Sequence, residues 1–506
     1  MANTKTTKVT RDIVILSVPR IAPVRPSSAP AVLKALCNKV GKSSQVLDLN
    51  HDFFTSFFKN NPGVAKELDD YFVQFNLTLS EATQQVYKEW IAAWVKKIVS
   101  YNPEIICISI FSWQSQRFGL DLLKQLRPAY LGIICVGGQG LVNSQNMSSH
   151  WTVPTYAESL LSQNLIDYYM KGESEETFPR FLLGERDLPG LNNSRPSVLH
   201  DMSQSPLLDF SDTNVSLYQN GYEGGVLPVE SGRGCVRSCA FCEMSSEHGT
   251  YRRKDGQQLA NEIIHYYKTY KTRHYYFHDD LINGNLDDFN VFVDAILKYY
   301  QDNNLPNRHF TFSGYWIVRK EKQFGVKDFE KFYQAGGETL VTGVETGSDR
   351  LRKIMRKGFT NKDLEFNLEC ISQLRMKFYF MLIAGLPGEQ IEDFNETLNA
   401  LTKWQKYVAT GAIIGINLGT TATIEPGTDI YENYHKYKLV GLKGQRPLGI
   451  NWMCTETPDL DYKERVRRRV LLQEHVLDLK YPLWKGDDHL RIIIDKYKEN
   501  IELWEA

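Results

Sequence analysis

The stretch of sequence that decides the fold runs over residues 231–242 and reads Ser-Gly-Arg-Gly-Cys-Val-Arg-Ser-Cys-Ala-Phe-Cys. It places Cys235, Cys239 and Cys242 on one loop directly after an apolar strand pattern. Thiolates are soft, negatively charged ligands that suit iron–sulfur clusters and zinc. A structural zinc site needs four protein ligands, and the spacing of His248, the nearby candidate, is unconvincing. Three ligands on a cubane cluster would leave one iron open, so the spacing favours a cluster over zinc or three incidental buried thiols.

Downstream of this loop the chain alternates strands and helices. Apolar runs predict six strands, near residues 226–230, 274–278, 309–318, 339–345, 377–384 and 412–418. Helical patterns lie between them, for example over residues 256–270. Six β/α units predict a partial, TIM-like (β/α)6 barrel over residues 226–430, whose chemistry sits at the C-terminal ends of the strands. The pattern then becomes helical and charged, which predicts a mainly helical C-terminal segment over residues 431–506.

Upstream, residues 1–190 predict an α/β domain with a doubly wound, Rossmann-like parallel sheet. Short runs that are apolar on both faces alternate with helical stretches, as in a sheet that is covered by helices on each side. Residues 51–101 are aromatic, helical and too long for an ordinary crossover. We interpret them as an inserted helical subdomain that packs its own small core, with a substrate-binding cap as the alternative. Residues 191–225, rich in Pro, Ser, Asn, Asp and Gly, predict an extended linker.

Composition excludes several classes of protein. The chain has 506 residues, which suggests about three domains. Its 59 Lys and Arg balance 60 Asp and Glu, which argues against binding nucleic acid or anionic lipid through bulk charge. No apolar run is long enough to predict a membrane span, and the polar, basic start does not resemble a secretory signal. We therefore expect a cytoplasmic protein.

The sequence also contains isolated cysteines and a basic run. Of the eight cysteines, Cys370 and Cys454 are among five that stand singly, and we predict that these two are buried thiols. Such a distribution fits structural thiols plus one metal site in a reducing compartment. The run Arg465–Arg469 includes three consecutive arginines, which fan around a helix instead of forming one stripe. We interpret this run as a solvated helix face and not as a nucleic-acid site.

The cysteine loop, preceded by Ser-Gly-Arg-Gly, resembles that of the radical S-adenosylmethionine (SAM) superfamily. Further motifs of that superfamily follow in order, at residues 251–253, 277–280, 341–348, 355–358, 384–389 and 425–428. The resemblance covers about residues 226–430. It implies a [4Fe–4S] cluster on Cys235, Cys239 and Cys242 and a SAM molecule on the open iron.

The residues that the resemblance implies around SAM are Phe241, Asp279, Asp280, Arg319 and Glu345. Phe241 would flank the adenosyl group, with simple packing as the alternative. The two aspartates would hold the SAM amino group or the substrate, with a turn or helix cap as the alternative. Glu345 suits the ribose hydroxyls, with a buried ion pair as the alternative. Arg319 could pair with the SAM carboxylate, although we favour a surface arginine.

The doubly wound domain resembles the cobalamin-binding domain of the cobalamin-dependent radical SAM class. The residues that this implies at the cobalamin site lie at strand ends and in the closing segment: Ser109, Ser112, Gly137, Gly138, Gln139 and Glu173. The two glycines alone are weak signals, because a tight turn also uses them. The Asp-x-His-x-x-Gly signature for an axial histidine is absent, since residues 48–51 do not satisfy it. Cobalamin would then bind without a histidine ligand, or the domain is degenerate and binds nothing.

The activity implied by the resemblance is reductive cleavage of SAM to a 5'-deoxyadenosyl radical, used for cobalamin-dependent methylation of an unactivated carbon. It also implies an external electron donor such as flavodoxin or ferredoxin. The alternatives are a radical cyclisation or rearrangement without methyl transfer, and a non-catalytic iron–sulfur binding protein. Neither aromatic content nor charge names the substrate.

Overall fold

The computed structural model describes residues 10–74, 77–141, 154–193, 195–218, 222–244, 248–419 and 421–483. The chain divides into two compact units, Met1–Pro228 with Tyr270–Thr272 and Val229–Thr269 with Arg273–Ala506. Residues 484–506 of the predicted C-terminal segment lie outside the described residues. Among the helices that the structure describes, we find none with the length and apolar character that crossing a bilayer requires.

A parallel five-stranded sheet forms the centre of the first unit, with the strand order β2–β1–β3–β4–β5. Its strands are β1 (Ile13–Ser17), β2 (Ser44–Asp48), β3 (Ile105–Ser109), β4 (Ile133–Gly137) and β5 (Tyr168–Met170). Strands β1 and β3 are buried at every position, so the predicted doubly wound sheet is confirmed. The strand order reverses between β1 and β3, which is where open α/β sheets bind ligands at their carboxyl edge.

Helices cover both faces of this sheet. They are α1 (Ser28–Lys39), α2 (Leu49–Asp52), α3 (Phe58–Asn60), α4 (Pro62–Val73), α5 (Glu81–Ser100), α6 (Gln114–Ala129), α7 (Tyr156–Ser162) and α8 (Thr177–Leu182). Phe53 and Phe72, from the predicted insertion, belong to one core with Val14 and Ile106 of the sheet. The expectation of a separate small core is therefore wrong. These aromatic helices cover one apolar face of the sheet, while α1 and α8 cover the other.

The described part of residues 191–225 is mostly extended and packs against other segments of the first unit. Asp212 accepts a hydrogen bond from the backbone N–H of Val46, in the outermost strand β2, at 2.8 Å. The same carboxylate pairs with Lys34 at 2.5 Å. Tyr218 donates its hydroxyl proton to Asp48 at the end of β2. The segment thus covers a strand edge that would otherwise present unpaired backbone groups.

Six strands form a second sheet with the order β13–β12–β11–β10–β9–β6, and the second unit begins at the last residue of β6. The remaining strands of the chain are β6 (Val226–Val229), β7 (Gly232–Arg233), β8 (Arg252–Arg253), β9 (His274–Phe277), β10 (Thr311–Tyr315), β11 (Gly337–Glu345), β12 (Lys377–Leu382), β13 (Ile413–Asn417), β14 (Leu439–Gly441) and β15 (Trp452–Cys454). The pairs from β9 to β13 are parallel, and each strand lies beside the next one along the chain. This order is that of the predicted partial (β/α)6 barrel.

Helices connect the strands of the barrel. They are α9 (Gly256–Tyr270), α10 (Leu286–Asp302), α11 (Val326–Ala335), α12 (Asp349–Ile354), α13 (Asn361–Gln373) and α14 (Ile391–Ala409). Two further helices, α15 (Asp429–Glu432) and α16 (Tyr462–Asp478), follow the last strand of the barrel. Between α15 and α16 the chain also forms an antiparallel pair of β14 with β15, which the helical pattern did not predict. Three-residue strands are too short to give a period in the sequence.

The arginines of α16 are only partly solvated. Arg465 is fully buried and donates to the carbonyls of Ile450 at 2.6 Å and Trp452 at 2.9 Å. Arg468 is 5% exposed. Arg467 is exposed and pairs with Glu464 at 2.6 Å. The prediction of a solvated face is therefore wrong for Arg465 and Arg468, because both find partners on neighbouring segments.

Candidate active site

Two short strands close the loop that carries the cysteines. Strand β7 pairs antiparallel with β8, and the loop between them contains all three thiols of the motif. A Cβ at Gly232 would lie 2.6 Å from the carbonyl oxygen of Arg252, so this close pairing requires glycine. Directly after β8, Lys254 is buried and pairs with Glu262 of α9 at 2.9 Å. The base of the loop is thus tied to the helix that follows it.

The middle of the loop is anchored through the backbone of Ala240, which is fully buried. Its N–H donates to the carbonyl of Met355 at 3.0 Å, and its carbonyl accepts from the N–H of Ile430 at 2.9 Å. Ala240 lies directly after Cys239 and two residues before Cys242. These two backbone hydrogen bonds therefore fix the position of the loop between Cys239 and Cys242.

The three thiols differ from the other cysteines in exposure. Cys235, Cys239 and Cys242 are half-buried, whereas the remaining five are buried, as predicted for Cys370 and Cys454. Burial raises the pKa of Cys242 to about 11, so it must lose a proton on binding a metal.

The fit of this loop to a cluster rests on its donor chemistry. The backbone N–H of Arg237 donates to the sulfur of Cys235 at 3.3 Å. Hydrogen bonds to cysteine sulfur are one of the means by which proteins tune iron–sulfur clusters. Within the described ranges, no group of three or more His, Cys, Asp or Glu side chains is arranged to hold a single metal ion. Three free thiols on one anchored loop suit the donor set of a cluster.

The two aspartates after β9 have different surroundings. Asp279 is buried, and its two oxygens accept the backbone N–H of Ser231 at 2.9 and 2.8 Å as well as the Ser231 hydroxyl. Burial raises the pKa of Asp279 to about 7. Burial also raises the pKa of the half-buried Asp280, while His248 opposes this increase. Asp279 thus fixes the start of the cysteine loop, and Asp280 is the carboxylate that a ligand could engage.

Arg319, after β10, is only 8% exposed, so the expectation of a surface arginine is wrong. Its Nη2 donates to the carbonyls of Asn283 and Gly284, the latter at 2.8 Å. Its buried Nε has no hydrogen-bond partner among the described residues, and the same holds for the Nε of Arg237. Burial lowers the pKa of Arg319, and the nearby Arg237 charge lowers it further. Two neighbouring guanidinium groups with unused donors suit an anionic group of a ligand.

Glu345 ends β11 and pairs with Lys357 at 2.9 Å. For Glu345, the sequence analysis gave a buried ion pair as the alternative to a contact with the ribose hydroxyls. The structure contains this ion pair. A Cβ at Gly343 would overlap the Glu345 carboxylate and lie 2.8 Å from the Lys357 ammonium, so Gly343 makes room for the pair. The ammonium lies 5.6 Å from the ring centroid of the half-buried Phe241. Sequence reasoning missed Lys357, although residues 355–358 were recognised as a motif.

At the carboxyl edge of the first sheet, the structure brings some of the predicted residues together. Ser109 and Gly137 are register partners at the ends of β3 and β4. The nearest atom that a Cβ at Gly137 would meet is 3.9 Å away, so there is space beside it. The Ser112 hydroxyl lies 3.3 Å from that of Ser115, and Gln139 is exposed.

Two other residues of this edge serve the fold itself. Gly138 has a φ of 113°, and a Cβ there would overlap the carbonyl of Ile110. Packing of the two loops against each other therefore requires this glycine. The Glu173 carboxylate accepts the backbone N–H of Leu199 at 2.6 Å. Both contacts hold loops at the edge where the ligand of such a sheet is expected.

Part of the chain matches the model of a known protein family. Residues 229–401 match the model of the radical SAM superfamily. A putative methylthiotransferase of Methanocaldococcus jannaschii is 22% identical over 322 residues, which cover 59% of this chain and 65% of that protein. A tRNA-2-methylthio-N(6)-dimethylallyladenosine synthase of Clostridium beijerinckii is 26% identical over 188 residues, 35% of this chain and 38% of that protein. The matches thus span less than two thirds of the length of either relative.

Two solved structures share the fold over most of this chain. The radical SAM methyltransferase TsrM from Kitasatospora setae, solved with cobalamin and a [4Fe–4S] cluster, is 15% identical with a TM-score of 0.61. The match covers 95% of this chain and 90% of TsrM. The cobalamin-dependent radical SAM enzyme OxsB, solved with aqua-cobalamin, is 15% identical with a TM-score of 0.62, covering 92% of this chain and 66% of OxsB. Residues 229–401 therefore form a radical SAM domain, and the chain as a whole shares the fold of TsrM and OxsB.

Proposed function

We propose that this protein binds a [4Fe–4S] cluster through Cys235, Cys239 and Cys242 and cleaves SAM reductively to methionine and a 5'-deoxyadenosyl radical. We further propose that the radical serves cobalamin-dependent methylation of an unactivated carbon. The observation that carries the proposal is the anchored loop of three free thiols inside a radical SAM domain. When bound, the cluster supplies the electron that breaks a C–S bond of SAM.

The side chains around the loop suit the groups of SAM. Arg319 and Arg237 offer unused N–H donors to the carboxylate. Asp280 is a half-buried acceptor for the amino group, Glu345 lies at a strand end for the ribose hydroxyls, and Phe241 offers a half-buried ring to the adenosyl group. Burial of these groups strengthens each interaction, because less water competes for them.

Cobalamin is proposed for the carboxyl edge of the first sheet. The strand order places a switch point between β1 and β3, and Ser109 and Gly137 lie on the neighbouring strand ends. The sequence lacks the axial histidine signature, so we propose binding without a histidine ligand. The electron would come from an external carrier protein such as flavodoxin or ferredoxin.

The proposal is tested with anaerobically reconstituted protein, SAM and a reductant. We expect four irons per chain and formation of 5'-deoxyadenosine, measured by mass spectrometry, and a cobalamin spectrum after loading and gel filtration. Zinc in place of iron, or no 5'-deoxyadenosine from a fully loaded cluster, would contradict the proposal. 5'-Deoxyadenosine without cobalamin uptake would instead favour a radical cyclisation or rearrangement.

Arg319→Met is expected to weaken SAM binding by about 10- to 100-fold, because a hydrogen bond to a charged group contributes about 1.5–3 kcal/mol. Iron content should not change. The dissociation constant is measured by anaerobic calorimetry. Arg308→Met is the matched control, since Arg308 donates to the carbonyls of Tyr333 and Gly337 at 2.9 Å but lies before β10 instead of after it. Equal SAM affinities of the two variants would exclude the role of Arg319.

A further inference from the structure

Lys357 is a cation beside the cysteine loop that the roles above leave unused. Its side chain is 14% exposed, and its ammonium lies 2.9 Å from the Glu345 carboxylate. The residue before it, Arg356, contacts the Cys239 thiol through its carbonyl oxygen at 3.9 Å. The ammonium also lies 5.6 Å from the ring centroid of Phe241, the residue directly before Cys242. These contacts hold a positive charge next to the second and third cysteines.

A charge in this place affects the electron affinity of a cluster. One-electron reduction makes a cluster more negative, and net charge around it is among the factors that set its reduction potential. Coulomb interactions are stronger where water is excluded, so a half-buried or buried cation has more effect than a surface one. On the basis of the proposed function, we infer that Lys357 raises the reduction potential of the [4Fe–4S] cluster, while Glu345 positions the ammonium and offsets part of its charge.

The test is a redox titration of the reconstituted cluster, followed by electron paramagnetic resonance in the absence of SAM. Lys357→Met should shift the midpoint potential to more negative values, because it removes a positive charge. Glu345→Gln should shift it to more positive values, because it leaves the ammonium uncompensated. Shifts of opposite sign are the expected signature of charge, since general damage to the loop would not depend on the sign of the charge removed.

A double variant covers the case in which Lys357→Met does not hold the cluster. Lys357→Met/Glu345→Gln removes the whole ion pair, and its potential should lie below that of the wild type, because the ammonium is the member of the pair that contacts Phe241 of the cysteine loop. The matched control is Lys254→Met/Glu262→Gln, which removes another buried pair with the same 2.9 Å separation. Its potential should remain at the wild-type value.

The outcomes separate this inference from the proposed function. A wild-type protein that assembles no [4Fe–4S] cluster would refute the proposed function. A wild-type cluster whose potential is the same in the Lys357 variants, or shifts equally in the control pair, would overturn the role of Lys357 alone. Lys357→Arg should keep the potential close to the wild-type value, because the positive charge is retained.

Discussion

Replacing any one of Cys235, Cys239 or Cys242 by alanine is expected to reduce both iron content and 5'-deoxyadenosine formation to background. A cluster held by three thiolates has no spare protein ligand. The five other cysteines are buried in helices and strands outside the loop. Iron analysis after anaerobic reconstitution and mass spectrometry of the SAM products check the two parts of this result.

The control for the cysteine variants is Cys370→Ala. Cys370 lies in α13 of the same unit and is 3% exposed, so its loss costs packing but no ligand. This variant should retain the iron of the wild type. A Cys239→Ala protein that kept full iron and still cleaved SAM would contradict the assignment of the ligands.

Arg468→Met is expected to lower the free energy of unfolding by about 3–5 kcal/mol, which is the usual result of leaving one member of a buried ion pair alone. Arg468 pairs with Glu389 at 3.0 Å, and the two side chains are 6% and 4% exposed. Glu389 belongs to the loop after β12, so the pair ties α16 to the barrel. Equilibrium unfolding in urea measures the change.

The neighbouring arginine provides a matched control for this variant. Arg467 pairs with Glu464 at the surface, with 47% of its side chain exposed, and Arg467→Met should cost less than about 1 kcal/mol. Arg468→Met/Glu389→Gln should recover much of the lost stability, because no unpaired charge remains buried. Equal losses in Arg467→Met and Arg468→Met would show that α16 is not held by the pair with Glu389.

Local patterns were sufficient to predict most of the fold. The strands of the first sheet are short runs that are apolar on both faces, and a parallel sheet between helices is the arrangement that buries them. The helix predicted over residues 256–270 has these same bounds in the structure. Strand β5 and the β14–β15 pair were missed, because three residues are too few to show a period.

Local sequence patterns could not predict which charged residues are buried. Arg468 and Glu389 are 79 residues apart in sequence, and Arg465 bonds to carbonyls of another segment. A run of arginines therefore resembles a solvated face until its partners are known. The packing of Phe53 and Phe72 against the sheet also depends on contacts between distant segments.

The candidate site could be predicted only in part, because some of its contacts join residues that are distant in the sequence. The spacing of the three cysteines is local, so the sequence motif is sufficient to identify the loop. The burial of Arg319 and the pairing of Lys357 with Glu345 depend on strand ends that meet only after folding. Glu345 itself was placed correctly at the end of its strand, but the cation that holds it was not.

The packing of residues 191–225 has a consequence for dissecting the molecule. A fragment of the protein that ends at residue 190 would lack Asp212. The backbone N–H of Val46 and the ammonium of Lys34 would then lose the carboxylate that both contact. A fragment of that kind would tend to self-associate through its outermost strand, and its poor solubility would obscure any measurement of cofactor uptake. A fragment that extends to Tyr218 retains the residues that cover strand β2.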